Sequence, residues 1–279
     1  MPELPEVERG RRLAESIARG RTIAGVSCAR DEIVFDAVSP RTFQRALKGR
    51  VVRTCRRKGK QLWFELDGRG PHPLFHFGMA GAFHAPNVAP LQLASSGNVH
   101  ETDWPPRFVK IHLHFDDGGE LVMTDKRRFG RIRLRNEPER EPPISELGFD
   151  PLLEMPGPAA FAARLTARKA PIKAVLLDQK FAAGVGNWIA DEVLYQARID
   201  PRRRANTLDP VEAKRVRAAL KRIIEAACRV NAEKRKFPKS WLFHQRWGKN
   251  AEARTVKGEK IEHLTVAGRT TAWIPAVQG

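Results

Sequence analysis

The sequence predicts an α+β protein of two domains, and three observations support this class. Residues 21–134 are rich in short segments that alternate apolar and polar side chains, several of them separated by Asp-Gly or Gly-Gly pairs. This pattern is typical of the antiparallel strands of a sandwich. Residues 155–232 change to the period of amphipathic helices. Between the two regions, residues 136–143 contain three prolines and four charges, a composition typical of a linker.

The first element is a predicted helix from Pro5 to about Arg19. Proline is favoured at the first helical position, and Val7, Leu13 and Ile17 would share one apolar face. We expect the sandwich strands to follow this helix. They are Thr22–Cys28, Val51–Arg56, Gln61–Leu66, Leu74–Phe77, Phe108–Phe115, Glu120–Thr124 and Arg131–Arg135. Residues 84–106 carry Pro, Ser, Gly and Asn and predict a long surface loop.

The second half begins as helices and ends in a hairpin. Glu212–Val230 is strongly amphipathic, with Lys and Arg opposite its apolar face. The strands Glu259–Val266 and Thr270–Ala276 flank Ala267-Gly268-Arg269, which is a hairpin signal. The predicted domains are therefore 1–135, a linker at 136–150, 151–232 and 233–279.

Composition favours a polyanionic partner. The 279 residues include 50 Lys and Arg against 32 Asp and Glu, giving a formal net charge of +18. An anionic membrane surface is the competing partner, but no apolar stretch approaches the roughly 18 residues of a membrane span. The N-terminus has no apolar signal-peptide core.

The three cysteines, Cys28, Cys55 and Cys228, have no zinc-site spacing, and an odd number argues against a disulfide framework. We interpret them as reduced thiols of an intracellular protein. His112 and His114 alternate with apolar residues, as on one polar face of a strand. A metal-binding pair is the less favoured interpretation of these two histidines.

The N-terminus can carry a nucleophile. A small residue after Met1 favours removal of that methionine, which would leave Pro2 with a free secondary amine. A neutral amine forms a Schiff base with a carbonyl carbon, and an α-amino group has a pKa of only about 7.7–8.0. The positive end of the first helix would lower that pKa further, and Glu3 could transfer protons. The alternative is that Pro2 and Pro5 only begin a helix.

Three turns of the N-terminal half carry cations, glycines or prominent apolar side chains. The basic turn 56–60 can hold phosphates or be a solvated turn. In turn 76–81, Met79 lies between glycines and can wedge between base pairs or pack in the core. In turn 125–130, three cations surround Phe129, which can stack on bases or be the one buried residue of a charged hairpin.

A fourth motif joins two helical patterns at residues 179–192. Its Gly184-Val185-Gly186-Asn187 turn would expose backbone N–H groups at a helix start, which suits a phosphate. Asn187 would cap the helix or donate from its side chain, and Lys173 upstream could add charge. A plain helix–turn–helix connection is the alternative.

Together, and in this order, these motifs resemble the formamidopyrimidine-DNA glycosylase family, also called the Fpg/Nei family. The resemblance covers the Pro-Glu-Leu-Pro-Glu-Val-Glu start, the strand after Lys60, the Gly-Met-Ala-Gly, Arg-Arg-Phe-Gly and Gly-Val-Gly-Asn turns, and a C-terminal hairpin with Arg269. The Leu-Pro opening resembles the formamidopyrimidine branch more than the endonuclease VIII branch. The resemblance implies a catalytic 1–135 domain, a helix–two-turn–helix DNA-binding domain at 151–232 and a finger at 233–279.

The resemblance also implies a role for each matching residue. Pro2 would attack the deoxyribose C1′, Glu3 would be the acid and base at the sugar, and Glu6 would shape the lesion pocket. Lys60 would hold a phosphate at the lesion and assist catalysis. The other implied DNA contacts are Met79, Arg127 and Phe129 in the hole left by the flipped nucleotide, Asn187 and Arg269 at phosphates around it, and Arg128 and Lys173 as additional positions.

Two departures from the bacterial family pattern affect these expectations. Bacterial relatives usually end in a four-cysteine zinc finger, but no cysteine follows Cys228. The hairpin around Arg269 resembles the zincless finger of plant, fungal and Nei-like relatives, so no zinc and no other cofactor is expected. The segment 233–239, near the family's lesion-capping loop, is short and basic. In plant-like relatives this accompanies poor excision of 8-oxoguanine.

The resemblance therefore implies a bifunctional DNA glycosylase and abasic-site lyase that excises oxidised bases and nicks the strand by β,δ-elimination. Its partner would be damaged double-stranded DNA, without a membrane. We expect a monomer located with the genomic DNA, in the cytoplasm or nucleoid of a bacterium or the nucleus of a eukaryote. One alternative is a non-catalytic damaged-DNA-binding relative, against which the Pro2-Glu3 pair argues. Another is an unrelated RNA-binding scaffold, which the joint motifs disfavour.

Overall fold

The computed structural model describes residues 1–90, 103–248, 250 and 252–279. It divides into two units, Met1–Glu146 with Asn231–Lys234 and Leu147–Val230 with Arg235–Gly279. The predicted linker 136–150 is thus shared between the units, and residues 233–279 do not form a unit of their own. Part of the predicted loop 84–106, residues 91–102, lies outside the described residues.

Two helices belong to the first unit. The helix α1 covers Leu4–Ala18, with Pro5 in its first turn. The helix α2 covers Pro40–Leu47, and the Ser39 hydroxyl at its start accepts from the Thr42 amide at 3.1 Å. The sequence analysis did not predict α2, because eight residues are too few for a clear helical period.

Eight strands make the two sheets of this unit. They are β1 (Ile23–Cys28), β2 (Val52–Lys58), β3 (Gln61–Leu66), β4 (His72–His76), β5 (Ala82–His84), β6 (Val109–Phe115), β7 (Glu120–Thr124) and β8 (Arg131–Arg135). One sheet has the order β1-β6-β7-β5 and the other β2-β3-β4-β8, and every pairing is antiparallel. The predicted α+β class and antiparallel sandwich are confirmed. The three-residue strand β5 was not predicted.

Aromatic side chains fill the core that both sheets share. The Phe75 ring lies 5.0 Å from that of Phe64 and 5.2 Å from that of Phe83, between ring centroids. Phe43 of α2 contacts the same group, with its centroid 6.3 Å from that of Phe75. Burying each such ring contributes about 1.5–3 kcal/mol. The turns at the ends of the sheets are therefore anchored by strands that pack in this core.

The second unit is helical and carries one hairpin. Its elements are α3 (Pro158–Thr166), α4 (Ile172–Leu177), α5 (Asn187–Ala197), α6 (Pro210–Arg229), β9 (Glu262–Val266), β10 (Arg269–Trp273) and α7 (Pro275–Gln278). Ala267 and Gly268 have φ of +49° and +70° and make the two-residue turn. Arg269 therefore begins β10 instead of belonging to the turn. Among the described residues, the helices lack the combined length and hydrophobicity that crossing a bilayer requires.

Candidate active site

The first site residues surround the start of α1. Pro2 is buried, and the exposed fractions of Glu3 and Glu6 are 2% and 7%. The Glu3 amide donates to the Glu6 carboxylate at 2.9 Å, which places the two acidic residues together at the first turn. Burial, and then the neighbouring Glu3, raises the pKa of Glu6 to about 7. Glu6 is therefore a proton-exchanging group at neutral pH.

The N-terminal amine shares this environment. Burial lowers the pKa of the Met1 amine, Arg127 and Lys60 lower it further, and Glu3 and Glu6 oppose the shift. The fold thus brings side chains from three distant parts of the sequence within electrostatic reach of the chain's N-terminus. An amine at this position is more often neutral, and so more nucleophilic, than one in water.

A buried ion pair holds the turn that presents Lys60. Arg57 is only 3% exposed, and its Nε lies 3.0 Å from a carboxylate oxygen of Glu8 on α1. The same guanidinium donates to the Gly59 carbonyl at 3.0 Å, and Gly59 has φ of +56°. Arg57, on β2, is therefore a buried structural residue, which neither the phosphate-holding nor the solvated interpretation of residues 56–60 describes.

The Met79 and Phe129 turns lie against each other. Gly78 has φ of +58°, and a Cβ there would clash with the backbone of Phe129 and Gly130. Phe129 is 50% exposed, and the Arg127 guanidinium lies 5.1 Å from its ring centroid. Met79 is partly buried. The alternative of a buried Phe129 is wrong, because its ring is presented to solvent.

A buried carboxylate, which the sequence analysis missed, shapes the Phe129 turn. Asp125 is fully buried and accepts from the Arg127 amide at 3.0 Å and from the Gly130 amide at 2.6 Å. Aspartate characteristically bonds backbone N–H groups just downstream of itself in turns. Its position immediately before the cations was the available signal.

Arg128 forms an ion pair with Asp31, another residue of the same unit. Its guanidinium lies 3.0 Å from Asp31, which Lys110 also contacts at 2.7 Å. Burial would raise the pKa of Asp31, but the hydrogen bonds from Arg128 and Lys110 lower it to about 2. Arg128 therefore anchors the turn, and in this arrangement its guanidinium is engaged within the protein.

In the second unit, one side chain organises the turn before α5. The Gln179 amide donates to the carbonyls of Leu177 and Val185, at 2.8 and 2.9 Å, and accepts from the Gly184 amide at 3.0 Å. Gly184 has φ of +92°, which favours glycine. Asn187 is the first residue of α5 and Gly186 is the N-cap, so the predicted capping role of Asn187 is wrong.

Asn187 connects this turn to the hairpin. Its Nδ2 donates to the Thr270 carbonyl at 2.8 Å, and its Oδ1 is buried without a hydrogen-bond partner among the described residues. Arg269, beside Thr270, is exposed. The structure therefore brings Asn187 next to the start of β10, which carries Arg269, within the second unit.

Behind the hairpin lies a buried group that we call the Asp191 cluster, formed by Lys173, Asp191 and Arg246. Lys173 and Arg246 lie 2.6 and 2.5 Å from the Asp191 carboxylate, which also accepts from the Ala272 amide at 3.1 Å. Lys173 donates to the Thr271 hydroxyl at 2.7 Å as well. The cluster ties α4 and α5 to β10.

The position of Lys173 in this cluster corrects the expectation that its side chain contacts a phosphate. Lys173 is fully buried, so its ammonium does not reach the surface as a phosphate contact would require. The four-cysteine zinc finger of bacterial relatives does not fit this hairpin, which has no cysteine. Cys28 is half-buried, and Cys55 and Cys228 are buried in other parts of the fold.

Two family models match the chain. The formamidopyrimidine-DNA glycosylase N-terminal domain matches residues 1–132, and the formamidopyrimidine-DNA glycosylase H2TH domain matches residues 147–239. The two-sheet unit with its N-terminal acidic pair and the helical unit with its Asn187 turn correspond to these models. The protein is thus of the class of two-domain DNA-repair glycosylases.

Full-length relatives agree with the domain models. The chain is 45% identical over 278 residues to a formamidopyrimidine-DNA glycosylase of Arabidopsis thaliana, covering 100% of this chain and 71% of that protein. It is 31% identical over 301 residues to one of Bradyrhizobium sp. strain ORS 278, covering both chains completely. The chain belongs to the formamidopyrimidine-DNA glycosylase family.

Solved structures show the same fold. A Lactococcus lactis enzyme bound non-covalently to DNA containing an AP site has a TM-score of 0.80 at 24% identity, covering 99% of each chain. A MutM protein in complex with DNA containing carbocyclic 8-oxo-G has a TM-score of 0.79 at 26% identity, covering 100% of each chain. Both comparisons span the two units.

Proposed function

We propose that this DNA glycosylase excises oxidised bases and then nicks the strand, with the Pro2 amine as its nucleophile once Met1 is removed. The Pro2 nitrogen attacks C1′ of the damaged nucleotide, and the base departs with the electrons of the glycosidic bond. The sugar ring opens to a Schiff base, which acidifies the C2′ proton. β-Elimination and then δ-elimination expel the 3′ and 5′ phosphates.

One observation carries this proposal: Pro2 is buried at the start of α1, next to the buried carboxyl group of Glu3. Burial also lowers the pKa of the Met1 amine at the same end of the chain. We assign to Glu3 the proton transfers at the sugar. Lys60, presented by the turn that Arg57 anchors, binds a phosphate at the lesion and assists catalysis. Glu6 lines the lesion pocket.

Recognition requires the damaged nucleotide to leave the helix. We assign Met79, Phe129 and Arg127 to the space that it vacates, because their two turns touch and Phe129 is half-exposed. A stacked aromatic ring contributes about 1–3 kcal/mol per base. The arginine, held near the ring, supplies hydrogen bonds to the orphaned base.

Asn187 and Arg269 bind phosphates around the flipped nucleotide in this proposal. The hydrogen bond that Asn187 Nδ2 donates to the Thr270 carbonyl holds this side chain beside the hairpin. We assign Lys173 a positioning role through the Asp191 cluster, in place of the direct phosphate contact that the resemblance implies. Arg128 likewise supports the Phe129 turn through Asp31.

The proposed reaction uses no cofactor, and the finger uses no zinc. Its support is the dispersion of the three cysteines and the purely organic chemistry of the amine. Chelator treatment should leave excision unchanged. Stoichiometric zinc that is lost together with activity would contradict this.

We further propose that lesions that unpair easily are preferred. The segment 233–239 contains only a short 3-10 helix at Lys234–Lys236, and Phe237 is buried against Trp188, which leaves little chain to cap a purine. Hydantoins, formamidopyrimidines and abasic sites should be processed faster than 8-oxoguanine, because extrusion costs less for unstable pairs. Single-turnover assays on one duplex decide this, and equal rates for 8-oxoguanine and a hydantoin would refute it.

The enzyme acts as a monomer on damaged double-stranded DNA in this proposal. Its location is that of the genomic DNA: the nucleoid in a bacterium, the nucleus in a eukaryote.

Borohydride trapping on duplex DNA with an abasic site tests the nucleophile. The processed protein should give a covalent adduct, and a variant with one residue added before Pro2 should give none while retaining DNA binding. A full yield from the blocked variant would mean that a lysine is the nucleophile. Binding without trapping by the processed protein would favour the non-catalytic relative.

A further inference from the structure

One cluster of side chains lies outside all the residues assigned above. On β6, Ile111, Leu113 and Phe115 are buried in the shared core, so the alternate residues His112 and His114 project from the opposite face. The two imidazole rings lie side by side, with centroids 4.0 Å apart. Two potential ligands on one strand thus face the same way.

The neighbouring strand adds a carboxylate. In the β6–β7 register His114 is directly opposite Glu120. A Glu120 carboxylate oxygen lies 2.6 Å from His112 Nε2 and 3.9 Å from His114 Nδ1. The three donor atoms lie within 4.8 Å of one another. Ligand atoms around a tetrahedral ion with bonds of about 2.0–2.1 Å are separated by about 3.4 Å, so an ion would take the place of the hydrogen bond between His112 and Glu120 and would require shifts of under about 1 Å in both distances.

We propose that His112, His114 and Glu120 form a binding site for a divalent transition-metal ion. Two imidazoles and one carboxylate suit Zn²⁺, Ni²⁺ and Cu²⁺. Sites of this kind bind Cu²⁺ most tightly of the three ions. Three protein ligands leave at least one position for water. This is the only group of three or more such donors within the described residues.

The surroundings favour ligation. The side chains of His112 and Glu120 are 13% and 27% exposed, so they are held in place but reachable, and His114 is 45% exposed. Trp104 donates its indole N–H to Glu120 at 2.8 Å, an outer-shell contact that orients the carboxylate.

The site is distinct from the catalytic machinery proposed above and from the zinc finger of bacterial relatives. A bound ion would connect two adjacent strands and stabilise the sheet in proportion to its concentration. Excision would remain independent of it.

Calorimetric titration of the full chain with CuCl₂, and separately with ZnCl₂, after chelator treatment tests the proposal. We expect one equivalent of Cu²⁺ at the cluster. His114→Ala should weaken that binding by about tenfold or more, since even outer-shell losses cost about 10–100-fold. Glu120→Gln should weaken Cu²⁺ binding to a similar degree, although the glutamine side-chain oxygen can still accept hydrogen bonds. His244→Ala, which removes an exposed histidine from the second unit, is the matched control and should retain full binding.

Thermal melting with and without Cu²⁺ gives a second measurement. The wild-type protein and His244→Ala should gain melting temperature with the ion, whereas His114→Ala should not. His114 is nearly half-exposed, so this variant should fold, and its melting curve without metal checks that. Absence of Cu²⁺ binding by the wild-type protein, or wild-type affinity for Cu²⁺ in both His114→Ala and Glu120→Gln, would overturn the proposal and leave a hydrogen-bonded surface group.

Discussion

Replacement of Asp191 by Asn should loosen the hairpin that carries Arg269. The Asp191 carboxylate is 1% exposed and neutralises two buried cations, Lys173 and Arg246. An asparagine has the same shape but no negative charge, so both buried cations would lose their counter-ion. Its amide would present to them either an N–H donor or a carbonyl oxygen, which is a weaker acceptor than a carboxylate. Removing one partner of a buried ion pair costs about 3–5 kcal/mol.

The expected fall in melting temperature follows from that cost. A domain of about 150–250 residues loses roughly 2–4 °C per kcal/mol, so the variant should melt about 6–20 °C lower. The Ala272 amide donates to the same carboxylate, so amide hydrogen exchange in β10 should accelerate as well. DNA affinity should fall as well, because the loosened hairpin would no longer hold Arg269 in the position that we propose for its phosphate contact.

Asp200→Asn is the matched control. Asp200 also pairs with an arginine, Arg202, at 2.6 Å, but the arginine side chain is 55% exposed. Exposed pairs contribute only about 0–1 kcal/mol, so this variant should melt close to the wild-type protein. If Asp191→Asn also melts within about 1 °C of wild type and β10 keeps its exchange protection, the cluster does not hold the hairpin.

Three further outcomes are expected from the proposed site. Glu3→Gln should slow excision of an intact damaged base by about 10²–10⁴-fold in single-turnover assays with little change in affinity, and an unchanged rate would remove Glu3 from the mechanism. Arg269→Ala should weaken DNA binding and flatten its salt dependence by about one phosphate contact, measured by fluorescence anisotropy, whereas an unchanged salt slope would contradict that contact. The folded pKa of Glu6, about 7 against an ordinary 4.5, means that the folded state binds the extra proton. The free energy of unfolding of the wild-type protein should therefore fall by about 3 kcal/mol relative to that of Glu6→Gln as pH rises from 4.5 to 8. Denaturant titrations of both proteins at both pH values measure this, and an equal difference between the two proteins at pH 4.5 and pH 8 would refute it.

Strands were predicted best where turn residues mark both ends. Gln61–Leu66, Glu120–Thr124 and Arg131–Arg135 match the structure residue for residue, because Gly, Asp or Asn residues flank each apolar segment, and Arg131–Arg135 also alternates. The strand Ala82–His84 and the helix Pro40–Leu47 were missed. Elements of three and eight residues have too few positions to establish a period, and packing decides their structure.

For the candidate site, sequence motifs located the cations but not their partners. Arg128 pairs with Asp31, 97 residues away, and Arg57 with Glu8, 49 residues away. A run of basic residues looks uniformly available for phosphates, and only the fold determines which of them acquire a buried carboxylate. Lys173 offered a signal, because it lies within the otherwise apolar Ile172–Leu177 segment, where an unpaired charge would be costly.

Contacts between protein side chains hold the hairpin against the helices of its unit. Strand pairing from Arg269↔Val266 to Trp273↔Glu262 holds β9 and β10 together, but it does not fix the pair against the helices. A structural zinc site contributes folding free energy directly, whereas a buried ion group gains little after the desolvation of its charges. The Asp191 cluster instead sets the position of the hairpin against the helices. Its hydrogen bonds require the donors of Lys173, Arg246 and Ala272 to surround the Asp191 carboxylate. We infer that it specifies where Arg269 stands, while apolar packing around Leu242, Ile261 and Ile274 supplies most of the stability.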